Sequence, residues 1–356
     1  MITSSSSSST RRRTARLLAF LCVLPLAANA DAWNGKGHMT VAAAAWKDLA
    51  PETRAKASAL LRLNPDYPNW VQGVAAEDVD MVAFVRAATW PDQIRSTYTE
   101  DGSSPKGSPT EVQNIGFVDC LKHRYWHFDD IPFSTDGTPL EDASEPNAVT
   151  QIRTLSTALA NPITSDDVKS YDLAWLLHLV GDIHQPLHAT ARFTQQSKHG
   201  DSGGNAVILC PHRGMACSQR FNSLHAFWDD ALGTGDSALG ALRLACLKPA
   251  TASSHCLPQA PAEALAIDDP GTWAQESFQL ARAVAYKRPI GAGKGPYYLT
   301  KSYQASVGST AEKQVALGGA RLAKLLNQAL ASGVPGQVTP PPLPDASACP
   351  RLSLQQ

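Results

Sequence analysis

Residues 177–188 read Leu-His-Leu-Val-Gly-Asp-Ile-His-Gln-Pro-Leu-His, and this stretch holds the densest group of candidate metal ligands in the chain. The segment Tyr171–Val180 is rich in Leu and Trp and predicts a helix. His178 and Asp182 would then lie one turn apart on the same face, with Cβ atoms about 5–6 Å from each other. Two side chains in this arrangement can bind one metal ion together.

Further candidate ligands follow the predicted helix. Pro186 lacks an N–H and crowds the preceding turn, so the chain should bend there and bring His188 round to the same side. The His-x-x-x-Asp spacing recurs at His225 and Asp229, in a second segment that we predict to be helical. Histidines and carboxylates in apolar segments cost free energy unless they are paired or bind a metal. Two such pairs therefore predict a metal centre.

The composition is that of a globular protein. The chain has 356 residues, of which 43% are hydrophobic and 18% are charged, enough for one large domain or two. Apolar periodicity gives about nine helices and one short β-hairpin, so we predict an all-α fold in a single domain. Besides the two segments above, the predicted elements are helices over Met39–Leu49, Pro51–Leu63, Ala76–Ala88, Asn147–Ala160, Ser237–Cys246, Thr272–Lys287 and Ser302–Ala331, and a strand over Ala206–Leu209.

The N-terminus predicts export. The basic cluster Arg11–Arg13 precedes the apolar run Leu17–Leu26, a pattern typical of a signal peptide, so we expect a secreted or periplasmic protein with no internal membrane span. Cleavage after Ala32 would leave Trp33 as the first residue, whereas cleavage two residues earlier would leave Asp31. We favour Trp33, because its free amino group could then bind metal. The predicted units are residues 1–32 as signal peptide, residues 33–332 as catalytic domain and residues 333–356 as a Pro-rich tail.

Charge and cysteine content limit the classes of function. Removing residues 1–32 takes away four arginines and one aspartate, so the formal charge of −1 becomes −4, which excludes a generally basic nucleic-acid-binding protein. A polyanionic substrate would need local positive charge, for which bound divalent cations are the obvious source. An even number of cysteines remains, which is typical of disulfides in exported proteins. The predicted pairs are Cys210/Cys217 and Cys246/Cys256, with Cys120/Cys349 by elimination; a cysteine zinc site is the disfavoured alternative, since no Cys-x-x-Cys spacing occurs.

Two segments allow both a structural and a ligand role. Asp92 follows a proline near a predicted helix end, where its ordinary role is an N-cap. Residues 124–132 form an aromatic-His-aromatic-acidic cluster, which is compatible with a buried strand or turn and equally with a metal ligand beside a stacking ring.

The candidate ligands together include no thiolate. Neutral imidazoles with carboxylates are typical of hydrolytic zinc sites that keep coordination positions open for water. The set is too large for one ion, whereas three zinc ions that share a bridging carboxylate would use it fully, and Asp182 is the natural bridge. The candidates are Trp33, His38, Asp92, His127, His178, Asp182, His188, His225 and Asp229.

Six motifs carry a resemblance to a known family. They are Trp-x-Gly-x-Gly-His at Trp33–His38, Trp-x-Asp-x-x-Arg at Trp90–Arg95, His-Phe-x-Asp at His127–Asp130, His-x-x-x-Asp-x5-His at His178–His188, Gly-Gly-Asn at Gly203–Asn205 and His-x-x-x-Asp at His225–Asp229. From Trp33 to about Arg321 the chain resembles the single-strand-specific zinc nucleases and 3′-nucleotidases typified by nuclease S-one and nuclease P-one. It departs from their pattern in a longer segment between His188 and Gly203, which bears on the base pocket.

The resemblance implies a fold of the zinc phospholipase C and nuclease P-one type and three zinc ions. One zinc would be held by Asp92, His127, His178 and Asp182, a second by His188, His225 and Asp229, and a third by His38, Asp182 and the amino group and carbonyl of Trp33. The substrate-binding residues would be Phe128, which stacks on a base, and Asn205 with Gly204. Asp130 would be the catalytic acid-base, although Asp129 lies beside it, and Arg95 would support that carboxylate and the phosphate. No metal is expected on the remaining histidines, His123, His184, His199, His212 and His255.

The resemblance also implies the reaction. The enzyme would hydrolyse phosphodiester bonds of single-stranded DNA and RNA to 5′-phosphate products and act on 3′-mononucleotides, as a monomer that does not bind membranes. A zinc-dependent phospholipase C is the alternative, because that related family has a similar N-terminal Trp and ligand set; Gly203–Asn205 and a final Asp229 in place of Glu favour the nuclease. A periplasmic zinc-binding or adhesion protein is a third possibility, which an open ligand set fits poorly.

Overall fold

The structure is a computed structural model that describes Met1 and residues 33–99, 114–210, 223–235, 237–249 and 255–331. The predicted signal peptide, apart from Met1, and the predicted C-terminal tail lie outside the described residues. The account below concerns the described part of the predicted catalytic domain.

Helices dominate the described residues and confirm the all-α prediction. No strand among these residues is longer than three residues. The helices are α1 (Gly35–Asp48), α2 (Pro51–Leu61), α3 (Tyr67–Val71), α4 (Val79–Ala87), α5 (Trp90–Gln93), α6 (Ala148–Ala160), α7 (Asp166–Asp182), α8 (Leu224–Asp229), α9 (Ala238–Leu244), α10 (Pro270–Leu280) and α11 (Lys301–Ala331).

Helix α7 lies at the centre of the fold. Every residue from Ser170 to Asp182 is buried, so the apolar side chains of this helix occur on all its sides instead of on one face. Its neighbours include α1, α2, α6 and α11. The helix therefore carries His178 and Asp182 into the interior of the protein.

The long helix α11 holds α1 against this core. The two backbones approach each other at Gly319, where a Cβ atom would lie 2.5 Å from Ala44 Cβ and 2.9 Å from Val41 O. Only glycine fits at such a distance. Because α1 also contains His38, this packing fixes one of the candidate ligands relative to α7.

Several helix ends differ from the prediction. Helix α7 begins at Asp166, five residues before the predicted start. The prediction missed its first turn because that turn is polar and has no apolar periodicity. The predicted helix over Ala76–Ala88 opens with a 3-10 turn, Ala76–Asp78, before α4. The predicted helix over Thr272–Lys287 is divided into α10 and a π-helical turn, Ala281–Ala285.

The strands correct the prediction of one short hairpin. Within the described residues, β1 (Pro132–Ser134) pairs with β2 (Ala191–Phe193) and β3 (Leu209–Cys210) with β4 (Tyr297–Tyr298), and both pairs are parallel. The strand predicted over Ala206–Leu209 shares only Leu209 with β3, and the preceding residue, Ile208, forms an isolated antiparallel bridge with Ser223. Parallel partners lie far apart along the chain, so local turn signals do not reveal them.

One predicted disulfide is described in full. Cys246 is bonded to Cys256, as the spacing predicted. Cys120 and Cys210 are also disulfide-bonded, while the predicted partners Cys349 and Cys217 lie outside the described residues. Among the helices that the structure describes, none has the length and apolar character needed to cross a bilayer.

Candidate metal centre and substrate site

Asp182, the last residue of α7, faces separate imidazoles with its two oxygens. Oδ2 is 3.2 Å from both His178 Nε2 and His127 Nδ1, whereas Oδ1 is 3.4 Å from His38 Nε2. These rings come from different elements: His178 from α7, His38 from α1 and His127 from the 3-10 turn Arg124–His127. Asp182 therefore has the arrangement expected of a bridging ligand.

Asp92 lies beside the same imidazoles. It is the third residue of α5, and Thr89 precedes the helix, so the N-cap role considered for Asp92 is wrong. Its carboxylate lies 3.7 Å from His178 Nε2 and 3.9 Å from His38 Nε2. Arg95 Nη2 is 3.0 Å from Asp92 Oδ1, which orients this carboxylate and brings a guanidinium to the edge of the cluster.

A second cluster joins His188, His225 and Asp229. His225 Nε2 is 3.1 Å from His188 Nε2 and 3.5 Å from Asp229 Oδ2. The sequence explains this geometry, because Ser223 caps α8 and α8 places His225 and Asp229 one turn apart. His188 comes from the 3-10 turn Pro186–Ala189, which follows α7 as the proline predicted.

Backbone carbonyls fix the orientation of three of these rings. A carbonyl can only accept a hydrogen bond, so the Nδ1 atom that faces it must carry a proton, and in the neutral ring Nε2 then carries the lone pair. The bonds run from His178 Nδ1 to Ala88 O (2.7 Å), from His188 Nδ1 to His127 O (2.6 Å) and from His225 Nδ1 to Gly203 O (2.8 Å). Such support is usual for histidines that bind metal.

The donors in this interior fit divalent cations. Among the described residues, buried atoms without a hydrogen-bond partner include both ring nitrogens of His38, Oδ1 of Asp182 and Nε2 of His127. Burial lowers the pKa of His38, His127 and His188 well below the usual value, which leaves these rings neutral with a lone pair available. Buried lone pairs of this kind are costly unless a cation binds them.

The candidate ligand atoms form three sets, and within each set all the ligand atoms lie within 4.8 Å of one another. The sets are His38 with Asp92 and His178, His127 with His178 and Asp182, and His188 with His225 and Asp229.

Trp33 lies between the two clusters. Its buried indole Nε1 donates to Gly181 O at 3.0 Å, next to Asp182, and the following residue, Asn34, donates its N–H to Asp229 O at 3.3 Å. The start of the predicted mature chain is thus held beside both clusters.

The structure gives the neighbouring aspartates different surroundings. Asp129 accepts a hydrogen bond from Asn147 Nδ2 at 3.1 Å, and its N–H donates to His188 O at 2.8 Å, so it fastens this segment to the N-terminus of α6 and to a ligand turn. Asp130 is partly buried, and burial together with the charges of Asp129 and Asp201 raises its pKa to about 7. Burial also raises the pKa of Asp129, to about 6, so both carboxyls have the raised pKa that suits proton transfer near neutral pH.

The predicted base-binding residues adjoin both clusters. Phe128 directly follows His127, and the edge of its half-buried ring packs against Tyr125. Gly203 accepts the hydrogen bond from His225, and the Asn205 side chain donates to Ser202 O at 2.9 Å in the same turn.

Comparison with known proteins identifies the family. The family model described as S1/P1 Nuclease matches residues 33–331. The chain belongs to the S1/P1 nuclease family. Endonuclease 4 of Arabidopsis thaliana is 27% identical over 341 residues, which cover 92% of this chain and 97% of that protein. Endonuclease 5 of the same plant is 25% identical over 342 residues, which cover 88% of this chain and 95% of that protein.

Membership of the S1/P1 nuclease family makes this protein a hydrolase that acts on phosphodiester bonds. S1/P1 nucleases are metal-dependent, which agrees with the His and Asp groups described above. The family match and the two endonucleases do not favour the alternative function, a zinc-dependent phospholipase C.

The structure adds Gln185 to the site of this S1/P1 nuclease. Its buried side chain donates from Nε2 to Asp229 Oδ1 at 2.7 Å and accepts from Leu187 N at 2.6 Å. The amide therefore turns the other oxygen of Asp229 toward His225. The sequence analysis did not predict this role for Gln185, although its position inside the His178–His188 motif pointed to it.

The histidines outside the clusters have other partners. His184 is buried, donates from Nδ1 to Val180 O and faces Arg321 with Nε2 at 3.1 Å. His123, which we predicted in a polar loop, is instead buried, stacked on Trp126 and bonded to Asp119 at 2.7 Å. A further ring contact, with Trp175 at a centroid distance of 5.6 Å, joins residues far apart in the chain and could not be predicted from the sequence around His123. His199 and His255 are exposed and pair with Glu141 and Glu312; His212 lies outside the described residues.

Proposed function

We propose that this protein is a zinc-dependent nuclease that cleaves single-stranded DNA and RNA to products with 5′-phosphates and also removes phosphate from 3′-nucleotides. The observation that carries the proposal is the position of Asp182, with one oxygen beside His38 and the other beside His127 and His178. A cluster of zinc ions is the simplest occupant of such a set.

The proposed assignment of ligands uses both clusters and the chain start. Three zinc ions would be held by Asp92, His127, His178 and Asp182, by His188, His225 and Asp229, and by His38, Asp182 and the amino group and carbonyl of Trp33. When bound, zinc supplies Lewis-acid chemistry that polarises phosphate oxygens and makes water nucleophilic near neutral pH.

The chain's own residues position the substrate and handle the proton. Asp130, whose pKa is raised to about 7, can hold or release a proton during attack on phosphorus. Arg95, which lies against Asp92, offers its guanidinium to a phosphate oxygen. Phe128 can stack on a base only when the base is free of its duplex partner, a contact worth about 1–3 kcal/mol, and this accounts for the proposed preference for single strands. Asn205 and Gly204 would meet the edge of that base.

We further propose that residues 1–32 direct export to the periplasm or the medium and that the mature enzyme acts as a monomer. The first part is supported by the basic and apolar segments of those residues.

A product assay tests the proposed function. Single-stranded DNA, duplex DNA, RNA, 3′-AMP and phosphatidylcholine are incubated in parallel with zinc-loaded protein. We expect cleavage of both single strands, 5′-phosphate ends, release of phosphate from 3′-AMP, and slower cleavage of the duplex. Phosphocholine release without cleavage of nucleic acid would refute the proposal, and 3′-phosphate ends would refute its stated chemistry.

A further inference from the structure

The turn that contains the predicted base-binding residues has an unusual backbone. Ser202, Gly203 and Gly204 have φ values of 52°, 58° and 85°, so consecutive residues adopt the left-handed conformation. A Cβ atom on Gly203 would lie 2.2 Å from Leu187 O. Ser202 is not a glycine and its conformation costs free energy, so the turn requires support from its surroundings.

Asp201 supplies that support from one buried carboxylate. Oδ1 accepts from Gly204 N at 3.2 Å and from Arg192 N at 3.0 Å. Tyr286 OH donates to the same carboxylate at 3.1 Å from Oδ1 and 3.0 Å from Oδ2, and Arg192 Nε lies 3.2 Å from Oδ2. The carboxylate thus joins the turn to β2 and to the end of the π-helical turn after α10.

Arg192 and Tyr286 also hold each other. The Arg192 guanidinium lies over the Tyr286 ring, with Cζ 4.4 Å from the ring centroid, and Arg192 Nη1 donates to Gly291 O at 2.7 Å. Through β2, Arg192 is paired with Phe133, three residues after Asp130. Asp201, Arg192 and Tyr286, which we call the Asp201 anchor, therefore contact one another, and Arg192 is also bound to the backbone at Gly291.

The Gly203–Asn205 turn contacts the metal cluster at His225 and also contains the proposed base-binding residue Asn205. Gly203 O accepts from Nδ1 of the ligand His225 at 2.8 Å, while Asn205, two residues later, is the proposed base contact. A shift of the turn would move both.

Resting on the proposed function, we infer that Asp201 is a positioning residue. The Asp201 anchor holds the Gly203–Asn205 turn so that the nucleotide base is bound and His225 stays aligned for its zinc ion. The longer segment between His188 and Gly203 builds this anchor, because both Arg192 and Asp201 lie within it.

The decisive variant is Tyr286→Phe, which removes one hydroxyl and keeps the ring beneath Arg192. We expect KM for short single strands and for 3′-AMP to rise about 2- to 10-fold, the effect of one lost hydrogen bond, with kcat nearly unchanged. Zinc titrated with a chromogenic chelator should show one ion held roughly tenfold more weakly. Asp201→Asn should change both quantities in the same direction.

Tyr297→Phe is the matched control. Its hydroxyl donates to Gly293 O at 2.9 Å in the same region, and the bond does not involve Asp201. The control should keep the KM and zinc affinity of the unmodified protein. A rise in KM without weaker zinc binding, weaker zinc binding without a rise in KM, or an equal effect of Tyr297→Phe would overturn the inference.

The chelator titration needs no substrate. If the unmodified protein fails to cleave single strands, the proposed function is wrong, and the zinc affinities of Tyr286→Phe and Tyr297→Phe still decide whether the Asp201 anchor aligns His225.

Discussion

Asp182 and Asp92 lie beside the same imidazoles, but Asp182 is fully buried and approaches them more closely, at 3.4 Å from His38 and 3.2 Å from His178 against 3.9 Å and 3.7 Å for Asp92. Asp182→Asn keeps the shape and removes the charge. We expect it to lose roughly two zinc ions per chain after dialysis, whereas Asp92→Asn loses roughly one, because a bridging carboxylate holds two ions. Zinc per chain measured by atomic absorption gives the answer, and equal losses would mean that Asp182 does not bridge.

A substitution of Phe128 tests substrate binding separately from metal binding. Phe128→Ala should raise KM for short single strands and 3′-nucleotides and leave bound zinc unchanged, since the ring is proposed to hold the base only. The lost stacking corresponds to about 1–3 kcal/mol. Phe128→Tyr, which keeps a ring, is the control and should restore most of the binding. An unchanged KM in Phe128→Ala would transfer the stacking role to another aromatic residue.

At the scale of the element, α7 shows what the sequence could and could not predict. Its Leu- and Trp-rich segment predicted the helix and the placement of His178 and Asp182, because a segment buried on all sides is mostly apolar. Its polar first turn was missed. The parallel strand pairs and the Asp201 anchor were missed as well, since each joins residues that only the tertiary fold brings together.

The buried part of α7 also contains a carboxyl that has no predicted function. Asp172 is fully buried, accepts from Asn114 Nδ2 at 2.9 Å through Oδ2, and has no hydrogen bond to Oδ1 among the described residues. Burial raises its pKa to about 8, so the folded state keeps the proton at pH values where the unfolded chain has released it. Stability should therefore fall as pH rises from about 4 to about 8.

Asp172→Asn mimics the protonated carboxyl and should remove this loss. We expect the free energy of unfolding at pH 7.5 to rise by about 1–3 kcal/mol, with a much smaller gain at pH 4.5. Denaturant titrations at both pH values and equal zinc concentration measure the difference. The control is Asp142→Asn, at an exposed carboxylate. A gain that is the same at both pH values would show that Asp172 is already ionised in the folded protein.

At the scale of the whole molecule, a chain of net negative charge must bind a polyanion. Apart from the Arg95 guanidinium at their edge, the two clusters collect imidazoles and carboxylates, and burial lowers the pKa of His38, His127 and His188, so bound cations would supply most of the positive charge there. Substrate binding and metal loading should therefore be coupled. The start of the predicted mature chain lies beside both clusters. Trp33 and Asn34 bond to Gly181 and Asp229, neighbours of the two clusters.

From this arrangement we expect N-terminal processing to be a condition for activity. If Trp33 is the first residue, its α-amino group has a reference pKa of only about 7.7–8.0, and zinc lowers that pKa further by competing with the proton. The amine and the Trp33 carbonyl can then close a chelate ring, with His38 completing the ligands. A peptide nitrogen cannot replace the amine, because its lone pair is delocalised into the carbonyl. A protein form that keeps one residue before Trp33, such as a Met, should fold but lose one zinc ion and most activity.

The Trp33→Phe substitution distinguishes the role of the Trp33 amine from that of its indole. It removes the bond from the indole to Gly181 O but keeps the amine and the carbonyl, so we expect lower thermal stability with the zinc content of the unmodified protein. N-terminal sequencing of the processed protein should give Trp33, and zinc analysis about three ions per chain. If the form with an extra residue is fully active with a full complement of zinc, the amino group is not a ligand. The ion beside His38 must then be held by side chains alone, and Asp92 and His178, which lie within 4.8 Å of that ring, are the residues placed to hold it.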